Sequence, residues 1–263
     1  DLAAKAYDDK WIDFLPREGK RDGAFCSNLP QIKQSRILAN FDGSISDIIT
    51  VAHELGHAYH GHMIEDLSIL NTSYTMPVAE TASTFCENIV FNAAMKTASE
   101  EEKLALIENS ISDLCQIIVD ISSRYQFEKE VFERRESEFL FSKDLQDIMV
   151  RAQKNTYGDG LDPDYLHPYM WICKGHYYSG SLSYYNFPYA FGGLFALGLY
   201  AQFEKEGSSF VPKYQDLLKA TTTNSCEDVA KMADIDITKV DFWRSSLEQV
   251  EKRIDTFIEL SSN

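Results

Sequence analysis

A mainly α-helical fold with one small β segment near its start is what the 263-residue sequence predicts, and three observations carry that reading. Apolar residues recur at helical spacing along most of the chain; Gly and Pro number only 13 and 7; and residues 35–41, SRILANF, read as extended just ahead of a strongly patterned helix. No internal repeat and no linker between two cores is evident, so one domain over residues 1–263 is expected.

The elements follow in order. Leu2, Ala6, Trp11 and Phe14 fall at roughly helical spacing until Pro16 ends the segment. Residues 15–33 are rich in Gly, Pro, Asn and charge and read as loop with a short strand. Asp42-Gly43-Ser44 combines turn residues with an N-cap for a helix over about 46–63. Residues 65–76 read as a connecting loop, with Pro77 near the first turn of a second helix that runs through Ala79 to about Lys96. Residues 99–155 stay helical as two or three long helices, and runs such as EEKLALIENS are solvated faces. The turn-rich YGDGLDPDYLHP at 157–168 is the best internal break. An aromatic, glycine-rich segment then leads into a buried helix over 187–203 and three amphipathic stretches to Leu260.

Charge and cysteine usage narrow the function classes. With 25 Lys plus Arg against 41 Asp plus Glu, the formal charge of −16 repels phosphate backbones and anionic lipid, so neither nucleic acid nor membrane is an expected partner. Residues 187–203 are interrupted by Pro188, Gly192, Gly193 and Gly198 and fall short of a bilayer span. Cysteines 26, 86, 115, 173 and 226 are odd in number and without CxxC spacing, which fits a reducing, cytoplasmic setting. Cys86 and Cys115, on helices, read as buried small hydrophobes. The chain opens at Asp1 in an already helical pattern without an initiator Met, so it is expected to be a piece of something longer.

The strongest chemical signal is His53-Glu54-Leu55-Gly56-His57, an HExxH on a predicted helix. Positions 53 and 57 stack on one face, so both imidazoles can hold one zinc while Glu54 reaches the adjacent water. A third ligand is required. Met63 stands where the metzincin pattern needs His, and residues 76 and 77 are Met and Pro where thermolysin-like enzymes carry a Glu. The next helix offers Glu80, 23 residues after His57. A His2Glu set leaves the fourth position to water, the mark of a catalytic rather than a structural site. Zinc, one per chain, would bring that water to a pKa of about 7, and Glu54 would take its proton and return it to the leaving amine. Glu87, two turns beyond Glu80, either accepts from a ligand imidazole or forms an ordinary salt bridge. His60 is too far along the helix to join the site and should be packed; His62 should be exposed.

TVAHELGHAYH followed by PVAETASTFCEN resembles the thimet oligopeptidase class of zinc peptidases, family M3, and within it the oligoendopeptidase F branch. GKRDGAFC at 19–26, ANFDGSISDI at 39–48, SRYQFEKEVFERR at 123–135 and HYYSGSLSYYNFPYAFGGLFALGLYA at 176–201 agree with it. The resemblance implies a zincin-like helical metallopeptidase domain that cleaves short peptides in a deep channel. It implies too that an N-terminal helical region, absent here, forms the opposite wall, so this chain corresponds to the C-terminal catalytic half. A His and one or more Tyr then stabilise the oxyanion: His176 matches the histidine, and Tyr178 and Tyr185 are the tyrosine candidates, with Tyr184 beside them. This chain departs from thimet-type relatives in carrying Phe187, not Tyr, after the Tyr184-Tyr185 pair. Residues 36–41 are expected to present the strand edge to which a peptide adds with little sequence preference. The function expected is a zinc-dependent metalloendopeptidase acting on oligopeptides. The alternatives are a dipeptide-releasing peptidase of the same machinery and a zinc-binding half inactive without the missing region.

Overall fold

Helices dominate the computed structural model, which describes residues 2–262, and its sheet has three strands in the order β1-β3-β2. The chain divides into two compact units: one made of the chain up to Ile111 and again from Gly192 onward, the other Ser112–Phe191. Both boundaries fall inside helices, and the turn-rich stretch at 157–168 lies within the second unit.

The first unit opens with α1, Leu2–Asp8, shorter than the periodicity suggests. Lys10 takes a left-handed φ of 56° and the Trp11 amide returns to the Ala6 carbonyl at 2.8 Å, which ends the helix and buries Trp11. Strand β1, Ile12–Asp13, then pairs in parallel with β3, Gln34–Leu38, while β2, Phe25–Leu29, pairs antiparallel on its other side. β3 is therefore central, and the edge expected over residues 36–41 is not there: the sheet's edges are β1 and β2. The two-residue partner β1 is too short to leave a period in the sequence, yet the carbonyls of Trp11, just before it, and of Asp13, at its end, accept from the β3 side: Ile37 N–H bonds Trp11 O at 2.9 Å and Ala39 N–H bonds Asp13 O at 3.0 Å. The Lys20 ammonium, only 1% exposed, clasps the same region through the carbonyls of Asp13, Leu15 and Ala39.

Ser44 caps α2, Ile45–Ile64, in a reciprocal box with Asp47. A connecting loop with a single 3₁₀ turn leads to α3, Met76–Ala79, and α4, Thr81–Thr97. Glu80, with φ −86° and ψ 1°, interrupts what the sequence reads as one helix. α2 and α4 lie so close that a Cβ on Gly56 would stand 2.5 Å from the Ala82 carbonyl oxygen. α5, Glu100–Cys115, covers one flank, and Phe91, Leu106 and Ile107 form a core there with Ile45, Ile49 and Phe257. From Gly192 the unit continues with most of α8, Phe187–Glu206, whose Phe195, Ala196, Leu197 and Leu199 are fully buried, then α9, Phe210–Ala220, α10, Cys226–Lys231, and α11, Val240–Ser261.

The second unit contains a π-helical stretch, Gln116–Asp120, then α6, Ile121–Arg135, and α7, Ser142–Tyr157. Phe127, Ile148, Met149 and Ala152 are its core, lined by Leu145, Met170, Trp171 and Tyr177. The helical reading of 99–155 holds. Cys115 is exposed and Cys86 half-buried, so the expectation of two buried thiols fails for Cys115, which sits on the solvated side of its helix. No helix among the described residues is long and apolar enough to cross a membrane.

Candidate metal centre and active site

His53 and His57 lie four residues apart on α2, and their Nε2 atoms are 3.1 Å from each other. Glu80 Oε2 completes a triangle, 3.3 Å from His53 Nε2 and 3.4 Å from His57 Nε2. Zinc bonds of about 2.0–2.1 Å at tetrahedral angles require donors about 3.3 Å apart, so the three atoms have the spacing of one face of a tetrahedron. Among the described residues this is the one set of His, Cys, Asp or Glu able to hold a metal ion.

The fold delivers Glu80 through the break between α3 and α4, which places it at the start of the helix packed on α2. Two close approaches hold it there. A Cβ on Gly192 would be 2.9 Å from Glu80 Cβ, so only glycine lets α8 lie against it. The buried Ser83 hydroxyl donates to Glu80 Oε2 at 2.8 Å. Glu87, left open by the sequence, hydrogen-bonds His53 Nδ1. A proton on Nδ1 satisfies that carboxylate and leaves Nε2 facing Glu80 and His57.

Electrostatics favour a cation at this point. Burial opposes a charged His53, but the hydrogen bonds and charges of Glu80 and Glu87 outweigh it and raise its pKa to about 10. Burial likewise works against a charged Glu80, yet its bonds to His53 and His57 hold the carboxyl far below its usual range. The surplus of negative charge that favours a proton on His53 equally favours a divalent ion among the donors. Glu54 is 5% exposed, and its Oε2 is buried without a partner. Burial raises its pKa, partly offset by His53 and His57. A buried carboxylate oxygen with nothing to accept, one residue from the His53 imidazole, is chemically disposed to take a proton from water.

The other α2 histidines behave as the spacing predicts. His60 is fully buried, bonds Thr221 Oγ1 at 2.8 Å and stacks on Tyr74 with ring centroids 4.0 Å apart. Burial drives its pKa down to about 3. His62 is exposed and pairs with Glu65 at 3.0 Å. No local pattern singles out Asn28, whose amide donates to the His57 carbonyl at 3.3 Å while accepting from Ser35 Oγ at 2.8 Å.

The second unit gathers its own polar cluster. His176 lies in a 3₁₀ turn, Gly175–Tyr178, half-buried, with Nε2 3.0 Å from Asn186 Nδ2 and its ring 5.7 Å from Tyr185. Burial, joined by the charges of Arg124 and Lys174, lowers its pKa. Tyr185 accepts from the Tyr189 hydroxyl at 3.1 Å. Tyr178 is 64% exposed, so His176 and Tyr185 share a cluster that Tyr178 does not. Tyr184 takes a left-handed φ of 55° and donates its amide to Glu128 Oε1 at 2.7 Å. Sequence reasoning passed over Glu128 and Asn186, because a carboxylate in a charged helical run and one Asn among aromatics carry no local signature.

Comparison with known proteins gives a consistent result. The chain is 28% identical over 254 residues to the chromosomal oligoendopeptidase F of Lactococcus lactis subsp. cremoris, covering 95% of this chain and 41% of the relative. It is 27% identical over 262 residues to oligopeptidase PepF of Bacillus subtilis, covering 98% and 38%. It thus spans about two fifths of the length of the curated relatives it matches. A crystal structure of a candidate peptidase from Chlamydophila abortus shares the fold with a TM-score of 0.82 at 22% identity, covering 95% of this chain and 42% of that one. The profile of Peptidase family M3 matches residues 1–249, nearly the whole of the sequence in which the HExxH helix and the Glu80 break stand, and the chain belongs to that family.

Proposed function

We propose that this chain is the catalytic part of a zinc-dependent metalloendopeptidase that hydrolyses short oligopeptides. The observation that carries the proposal is the His53–His57–Glu80 triangle, whose sides of 3.1, 3.3 and 3.4 Å suit one tetrahedral ion. Zinc held there supplies a Lewis acid that acidifies water and polarises the scissile carbonyl. Glu54 accepts the proton of the attacking water and passes it to the leaving amine nitrogen. Glu87 keeps His53 in the tautomer that leaves Nε2 free to ligate. His176, with Tyr185 or Tyr178, donates to the oxyanion, as the family resemblance implies. The outer edge of β2 offers main-chain groups to an extended peptide, which supports broad sequence tolerance. The unpaired cysteines suit a cytoplasmic setting.

The test is cleavage of a quenched fluorescent peptide of about eight residues with zinc assayed on the same sample. Glu54→Ala should lower kcat by roughly 10²–10⁴-fold, the usual worth of a general base, while zinc stays bound. Turnover that survives the substitution refutes the assignment of Glu54. A second reading has an observation in its favour: the chain spans 41% of its Lactococcus relative. On that reading zinc binding is complete in this chain, and turnover needs the remainder of the protein to orient the peptide. Zinc at one equivalent without cleavage would identify it.

A further inference from the structure

We propose that Glu128 and Asn186 are positioning residues that fix the tautomer of His176, so that the ring's Nδ1–H is the edge available as a donor. The inference rests on the reading of His176 as an oxyanion donor and adds which atom donates and what holds it.

Glu128, on α6, is 5% exposed; its Oε1 accepts the Tyr184 amide at 2.7 Å and its Oε2 faces Asn186 Nδ2 at 3.4 Å. A carboxylate has acceptor oxygens only, so the Asn186 amide must present its NH2 group to it; the opposite flip would set two acceptors face to face in a buried position. The same Nδ2 is 3.0 Å from His176 Nε2. An amide nitrogen can only donate, which makes Nε2 the acceptor and therefore unprotonated. A neutral imidazole then carries its one proton on Nδ1. The two hydrogens of a single amide thus link a buried negative charge to the tautomer of a histidine.

Three further observations agree. Asn186 Oδ1 is buried without a partner, an orphan that persists because the amide is held from its other end. The Tyr184 amide bond to Glu128 Oε1 supports a non-glycine residue at φ 55° two positions before Asn186, so one carboxylate anchors both the turn and the amide. Arg124 and Lys174 also disfavour a second proton on the ring.

The experiment uses the full-length protein labelled with ¹⁵N-histidine. In the wild type His176 should show Nδ1 protonated and Nε2 bare. Asn186→Asp places an acceptor against Nε2 and should move the proton there, lowering kcat about 10- to 100-fold, a share of the roughly 10²–10³ that one oxyanion donor is worth, while KM changes by less than about twofold. Glu128→Gln, which is isosteric, should loosen the tautomer and lower kcat in the same sense, and stands in if Asn186→Asp does not fold. In a His176→Ala background neither substitution should cost anything further. A wild-type His176 protonated on Nε2, or a tautomer unmoved by both substitutions, overturns the inference. A His176→Ala variant with wild-type kcat leaves the tautomer result standing and overturns the donor reading instead.

Discussion

Glu80 and Glu87 stand seven residues, about two helical turns, apart, and spacing alone does not divide their labour. The contacts do: Glu80 Oε2 closes the triangle with both histidine Nε2 atoms, and Glu87 bonds the far side of His53. Glu80→Ala should therefore remove most bound zinc, whereas Glu87→Ala should weaken affinity about 10- to 100-fold without abolishing binding, as read by competition with a chelator. The reverse order of effects would exchange their roles. His60 yields a separate expectation. Its folded pKa, pushed down to about 3 by burial, lies below the unfolded value near 6.5, so unfolding takes up a proton at acid pH. The neutral histidine costs nothing above about pH 6.5; stability falls as pH drops below that toward 3, at a limiting slope of about 1.4 kcal/mol per pH unit. His60→Gln should flatten the difference in denaturant midpoint between about pH 6 and 4, and an unchanged slope would mean that His60 is not held neutral.

At the scale of elements, what was legible depended on whether the signal is local. Asp42-Gly43-Ser44 reads as an N-cap in the sequence, and α2 begins at Ile45, directly after Ser44, with the reciprocal bond to Asp47 added by the structure. Ser44→Ala should cost about 1 kcal/mol in thermal or denaturant unfolding. The apolar 187–203 stretch likewise reads directly as a buried helix. The break at Glu80 does not, because Ala, Val, Glu and Thr continue a helical pattern and the interruption answers to Gly192 and Ser83, distant in sequence or hidden among small residues. The central place of β3 was illegible for the same reason, since β1 offers two residues and no period. Gly56 joins the two kinds of signal. It sits inside HExxH, but what requires glycine is the α4 backbone: an added Cβ would stand 2.5 Å from both Ala82 O and Ser83 Cα, and neither can move as a side chain end can. Gly56→Ala should destabilise by about 1–3 kcal/mol and, by prising α4 from α2, lower zinc affinity in parallel. Loss of stability with zinc affinity intact would show that Glu80 is carried independently of the α2–α4 contact.

For the whole molecule, the division into two units has a thermodynamic consequence. Every donor of the triangle, and Glu87 behind it, lies in the unit that runs to Ile111 and resumes at Gly192, while His176, Asn186 and Glu128 lie in Ser112–Phe191. The sequence hid this partition because both boundaries fall inside continuous helices and not at the turn-rich 157–168 stretch. A ligand stabilises only what it binds, by RT ln(1 + [L]/Kd), about 2.7 kcal/mol at a hundred times Kd. For an element of this size that corresponds to roughly 5–10 °C in Tm. If the units unfold as separate transitions, adding zinc to chelated protein should raise the first unit's transition by that amount and leave the second where it was, and Glu54→Ala should show the same shift because the base is not a ligand. Glu80→Ala should abolish the shift. A zinc-induced rise in both transitions would instead mean that the units melt cooperatively, and no rise in either, at saturating zinc, would remove the metal site from which the peptidase reading is built.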